Sequence, residues 1–164
     1  MGFKIMGVAF PQQFKTAEEL AEYIRLGILE EIELTQFSNA DSGSMATNEI
    51  YVLRSGHGTL VIMGDDLAIG GHYYETIKGI NYLRFIIDEN SASYVFDFYK
   101  DGALRSFCLA GGNLIDDEGE PLPIECIEND CAELIFKLIE DVTGATFFSI
   151  EETRTAIRYR VIRS

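Results

Sequence analysis

A chain of 164 residues that is 47% apolar, with 11 Phe and 8 Tyr, has the length of one domain and the side chains to bury a core, which excludes disorder. Its 27 acidic residues outnumber 13 Lys and Arg, and the resulting net charge of −14 repels phosphate backbones, which excludes nucleic acid and favours cationic surfaces as partners. No stretch approaches the ~18 apolar residues of a membrane span. Residues 1–10 are too briefly apolar for a secretory leader, and three Cys is an odd count for a disulfide framework, so a cytoplasmic protein is expected.

In chain order, residues 3–10 are apolar up to Pro11 and predict a first strand. Thr16-Ala17-Glu18-Glu19 is a capping box: Thr16 can cap an amide while Glu19 reaches back. Ala17, Leu20, Ala21 and Ile24 follow at helical spacing, and Gly27 suits a C′ position, giving a helix over about 16–26. Residues 28–37 alternate in part and predict a strand, and 38–48 are small and polar, as in a loop. Residues 49–54 and 59–63 predict a hairpin around Ser55-Gly56-His57-Gly58. Gly70-Gly71 breaks the chain, and 82–87 is a further strand. Residues 94–100 and 103–109 flank Asp101-Gly102, whose positive φ values suit a type I′ turn.

Residues 111–123 are rich in Gly and acid and are expected to form a loop. Asp130 and Glu133 signal a second helix start, and Leu134, Ile135, Leu138, Ile139 and Val142 make one helical face ending at Gly144, a helix over about 130–143. Finally, Thr155, Ile157, Tyr159 and Val161 alternate with Ala156, Arg158 and Arg160, as in a terminal strand. The sum is an α+β fold, mostly antiparallel sheet with two main helices, in a single domain over 1–164.

The residues that most often carry chemistry are not arranged for it. His57 lies in a predicted turn and His72 follows a Gly pair, neither with a partner at informative spacing. Cys108, Cys126 and Cys131 lack the paired knuckles of a zinc site and read as small apolar residues. Gly111-Gly112 opens an acidic stretch with no following Lys, unlike a phosphate cradle, and Gly70-Gly71 lacks a dinucleotide-binding context. Asp65-Asp66 and Asp116-Asp117 are carboxylate pairs of the kind that usually mark a solvated face, and the spacing of a calcium loop is missing. No catalytic residue, metal or cofactor is expected.

Charge is unevenly placed. Between Arg105 and Lys137 there is no Lys or Arg, while Asp116, Asp117, Glu118, Glu120, Glu125, Glu128, Asp130 and Glu133 all fall there. Glu18, Glu19, Glu22, Glu30, Glu31 and Glu33 form a second acidic region, and every charge after Glu152 is basic. Four carboxylates at Asp116, Asp117, Glu118 and Glu120 repel one another, a cost that a cationic partner would offset. They are the expected partner-binding residues, with Asp65 and Asp66. Tyr73 and Tyr74, or Tyr99, are expected as aromatic anchors.

The segment Phe96-Asp97-Phe98-Tyr99-Lys100-Asp101-Gly102-Ala103-Leu104-Arg105-Ser106-Phe107, followed by Glu118-Gly119-Glu120-Pro121-Leu122-Pro123-Ile124-Glu125, resembles small bacterial immunity proteins encoded beside polymorphic or contact-delivered toxins. The resemblance spans about residues 94–142 and is one of turn chemistry. It implies a cytoplasmic inhibitor that covers the active site of a cognate effector; such effectors are often basic, nucleases among them. The alternatives are a small-molecule-binding or enzymatic domain using His57 or His72, and a non-catalytic interaction subunit.

Overall fold

The computed structural model describes residues 4–24, 28–36, 48–64, 80–147 and 155–162. These build one nine-stranded antiparallel sheet. Its strands are β1 (Lys4–Phe10), β2 (Ile28–Gln36), β3 (Glu49–Ser55), β4 (Gly58–Met63), β5 (Tyr82–Asp88), β6 (Ser93–Lys100), β7 (Ala103–Ala110), β8 (Asn113–Glu118) and β9 (Thr155–Ile162). They lie in the order β2-β9-β3-β4-β1-β5-β6-β7-β8. Two α-helices are present among the described residues, α1 (Ala17–Ile24) and α2 (Cys131–Thr143), and a 3₁₀ turn spans Pro123–Cys126. The expected α+β class, its antiparallel sheet and both main helices are therefore observed, with the sheet larger than the strands read from the sequence.

Strand β1 is the middle strand and is buried on both faces, because the alternation of its side chains feeds two cores. Ile5 and Ala9 join one core with Leu53, Leu60, Ile62, Phe85 and Phe96, over which α2 lays Leu134, Ile135, Leu138, Ile139 and Val142. Met6, Val8 and Phe10 join the other with Ile50, Val52, Val61, Tyr159 and Val161, against Leu20 and Ile24 of α1. Gly7 lies between: a Cβ there would come within 1.9 Å of the Val61 carbonyl oxygen, so only glycine lets β1 and β4 approach this closely.

The helix ends follow the chemistry legible in the sequence. Thr16 Oγ1 accepts from the Glu19 amide at 3.1 Å, while Glu19 reaches one residue further back than a standard box, to the Lys15 amide at 3.0 Å. Asp130 accepts from the Glu133 amide at 3.0 Å, and Gly144 at φ 82° closes α2. Asp101 (φ 52°) and Gly102 (φ 88°) make the tight β6–β7 turn.

One element departs from expectation. The acidic stretch read as a loop over 111–123 contains β8, a terminal strand paired to β7. Its sequence hides this, because both faces of β8 are exposed and a bulge interrupts its register. Cys108 faces Asp116 while Leu109 faces Leu114, so Ile115 is the additional residue. Without a buried face there is no apolar alternation to read.

Candidate partner-binding site

Strand β8 carries three of the expected binding residues in sequence, Asp116, Asp117 and Glu118, all exposed on the outer strand. Alternation divides them. Asp117 lies opposite Phe107 on the face covered by α2, whereas Asp116 and Glu118 lie opposite Cys108 and Ser106 on the other face. Glu120 follows, after Gly119 at φ 86°. A Cβ at Gly119 would come within 2.2 Å of the Leu104 carbonyl oxygen, so glycine lets the chain turn tightly over β7 here.

Arg105 of β7 is the cation around which this region is organised. It is 4% exposed. Its Nε donates to Glu125 Oε2 at 3.0 Å and its Nη2 to Oε1 at 2.6 Å, a forked pair. Nη1 donates to the Asp117 carboxylate and, at 3.1 Å, to the Glu118 carbonyl oxygen. Burial pushes the Glu125 carboxyl up, but the bond from Arg105, a second from the Leu122 amide and the guanidinium charge outweigh it and hold the pKa below its ordinary value. One buried guanidinium thus pins both β8 and the 3₁₀ turn to β7.

The remaining carboxylates of this region differ in fate. Glu128 pairs with Lys137 at 3.4 Å, and Asp130 is the cap of α2. Asp116, Glu118 and Glu120 are in no ion pair among the described residues. Ile115, next to Asp116 in the chain, is 64% exposed, and Leu114, on the face of Asp117, is 58% exposed.

The opposite edge of the sheet is different. Strand β2 is also acidic, exposed and bulged, between Glu31 and Glu33. Its neighbour β9, however, brings Arg158 to Glu33 at 2.8 Å and to both oxygens of Glu49, and Arg160 to Glu30 at 3.4 Å. The second acidic region and the basic C-terminal strand, separate in sequence, thus neutralise each other in part. Periodicity gave no sign of this, since it depends on strand order.

Beside Arg105 a groove of about 1050 Å³ opens between the end of the β6–β7 hairpin, residues 120–124 and α2. Phe98 and Leu138 form its floor and Leu122 and Ile124 its wall. None of these was expected from the sequence, although the Pro-Leu-Pro-Ile run flanking Glu120 was a visible apolar signal beside the acidic stretch.

Expected residues elsewhere fare variously. Tyr99 of β6 stacks on Tyr82 with centroids 5.7 Å apart, half-buried. His57 forms the β3–β4 turn, where its amide donates to the Thr143 carbonyl at 3.0 Å and its Nδ1 lies 3.3 Å from the Pro11 carbonyl oxygen. The hollow beside it, about 150 Å³, is too small for most substrates. Cys108, Cys126 and Cys131 are free thiols. No group of three or more metal-binding side chains occurs among the described residues, and no described helix is long and apolar enough to cross a membrane. Asp65, Asp66, Tyr73, Tyr74, His72, Gly27, Gly70-Gly71 and the loop expected over 38–47 lie outside the described residues. Comparison with protein-family models, with curated proteins and with solved structures finds no match to this chain.

Proposed function

We propose that this chain is an acidic inhibitor of the immunity-protein kind, which binds a cationic toxin effector and covers its active site. One observation carries the reading: the two edges of the sheet are both acidic, but among the described residues Glu30 and Glu33 of β2 are both paired from within the chain, whereas of the acidic residues at 116–120 only Asp117 is. Along β8 and just beyond it Asp116, Glu118 and Glu120 are exposed, Asp116 follows exposed Ile115 in the chain, and the buried guanidinium of Arg105 is already committed to Glu125 and Asp117. Uncompensated surface charge beside exposed apolar side chains is the arrangement that steers a partner of opposite sign and then desolvates against it.

The test is co-expression with the toxic C-terminal domain of a secreted protein encoded by a neighbouring gene. The chain is expected to restore growth and to co-purify with that domain. If it does neither, the reading fails.

A small-molecule site is the second reading, favoured by the volume of the groove. Against it, Arg105, the buried charged side chain of the lining, is spent on internal pairs, and among the described residues no other buried cation lines the groove to orient a small ligand.

A further inference from the structure

We infer that the groove between the β6–β7 hairpin and α2 receives a protein segment in which a large apolar side chain is flanked by Lys or Arg. The inference rests on the partner-binding reading above and names what the partner brings. Phe98 and Leu138, 5% and 2% exposed, give an apolar floor, and half-buried Leu122 and Ile124 give a wall that Pro121 and Pro123 stiffen. Around this floor Asp101, Glu120, Glu140 and Asp141 face Lys100 and Lys137, and Lys137 is held by Glu128. The rim is therefore anionic over an apolar base, which fits an apolar anchor between cations.

The groove is continuous with the acidic strand. Arg105 lines it while bonding the Glu118 carbonyl oxygen, and Glu120, on its rim, is two residues beyond the end of β8. Asp116 and Glu118 lie on the opposite face of the sheet, so of the acidic residues expected at 116–120 it is Glu120 that stands on the groove's rim. A second copy of the chain, at −14, would bring the same sign of charge to this rim.

The test uses the full chain with ¹³C-labelled Ile and Leu methyls and four probes, followed by NMR. The first is the capped peptide Lys-Lys-Leu-Phe-Lys-Lys. The others are its versions with Ser-Ser replacing Leu-Phe and with Glu replacing every Lys, and benzyltrimethylammonium. Saturable shifts at the Leu122, Ile124 and Leu138 methyls are expected with the first, with binding weakened about tenfold or more by Ser-Ser and abolished by Glu. Ala103→Arg, which puts bulk and positive charge into the lining, and Asp141→Lys should each weaken it; both positions are exposed. Should Ala103→Arg unfold the chain, Asp141→Lys decides alone. Equal affinity for the Leu-Phe and Ser-Ser peptides, shifts confined to β8, or tighter binding of the small ammonium overturns the inference. A chain that fails to rescue growth but binds the first peptide in this way loses the immunity reading and keeps the groove. Rescue without groove shifts does the reverse.

Discussion

Arg105 and Glu125, twenty residues apart in sequence, meet as a forked ion pair with both N–O distances at or below 3.0 Å, and Arg105 lines the groove. Glu125 also accepts from the Leu122 amide at 2.6 Å, so the pair fixes the Pro-Leu-Pro segment as well as the carboxylate itself.

Arg105→Ala would leave a partly buried carboxylate unpaired and is expected to cost about 3 kcal/mol, read as a fall in the urea midpoint at constant slope. Arg105→Lys keeps the charge but not the fork, and should lose less. Because the folded-state pKa of Glu125 lies below its unfolded value, the pair's contribution is full above the ordinary carboxylate pKa of 4.5 and is lost as pH falls through the lower folded value. The stability gap between wild type and Arg105→Ala should therefore narrow in acid. A gap independent of pH down to strong acid would show that the ion pair is not its source.

Gly7→Ala is expected to be among the most damaging single-methyl additions. The new Cβ would meet backbone, the Val61 carbonyl 1.9 Å away, where neither β1 nor β4 can yield without losing register. A loss of about 3 kcal/mol is expected, with soluble yield and thermal midpoint as the measures.

Asp116→Lys with Glu118→Lys should change stability by no more than about 0.5 kcal/mol, both side chains being exposed. The double variant should slow association with a cationic partner several-fold at low salt, and the difference should shrink as ionic strength rises. Glu30→Lys on the opposite edge, where Arg160 already answers the carboxylate, should slow it less. Stopped-flow association rates at two salt concentrations compare the two edges; equal effects would remove β8 as the steering surface.

The three cysteines should alkylate in a fixed order. Cys126 is exposed, whereas burial, then the charge of Asp116, raises the Cys108 thiol pKa, and burial, then Asp130, raises that of Cys131. Iodoacetamide at mildly alkaline pH should label Cys126 first, as read by peptide mass mapping. Faster labelling of Cys108 would mean that β7 and β8 separate in solution.

What the sequence determined by itself was local. Caps at Thr16 and Asp130, the stop at Gly144, the Asp101-Gly102 turn and the strands around them are set by interactions a few residues apart, and all were legible as residue types at fixed spacing. The overall acidity, and its concentration between Arg105 and Lys137, were equally plain. Tertiary structure decided which of those charges remain unanswered. Strand order placed β9 against β2, so that Arg158 and Arg160 meet Glu33, Glu49 and Glu30 across more than 100 residues. It also made a strand of 113–118, since hydrogen bonding to β7 needs no apolar pattern in β8. The groove likewise exists because Arg105 and Glu125 bring β7 and the Pro-Leu-Pro segment together. Pairing energies between distant residues depend on which strands become neighbours, and local spacing carries no record of that choice.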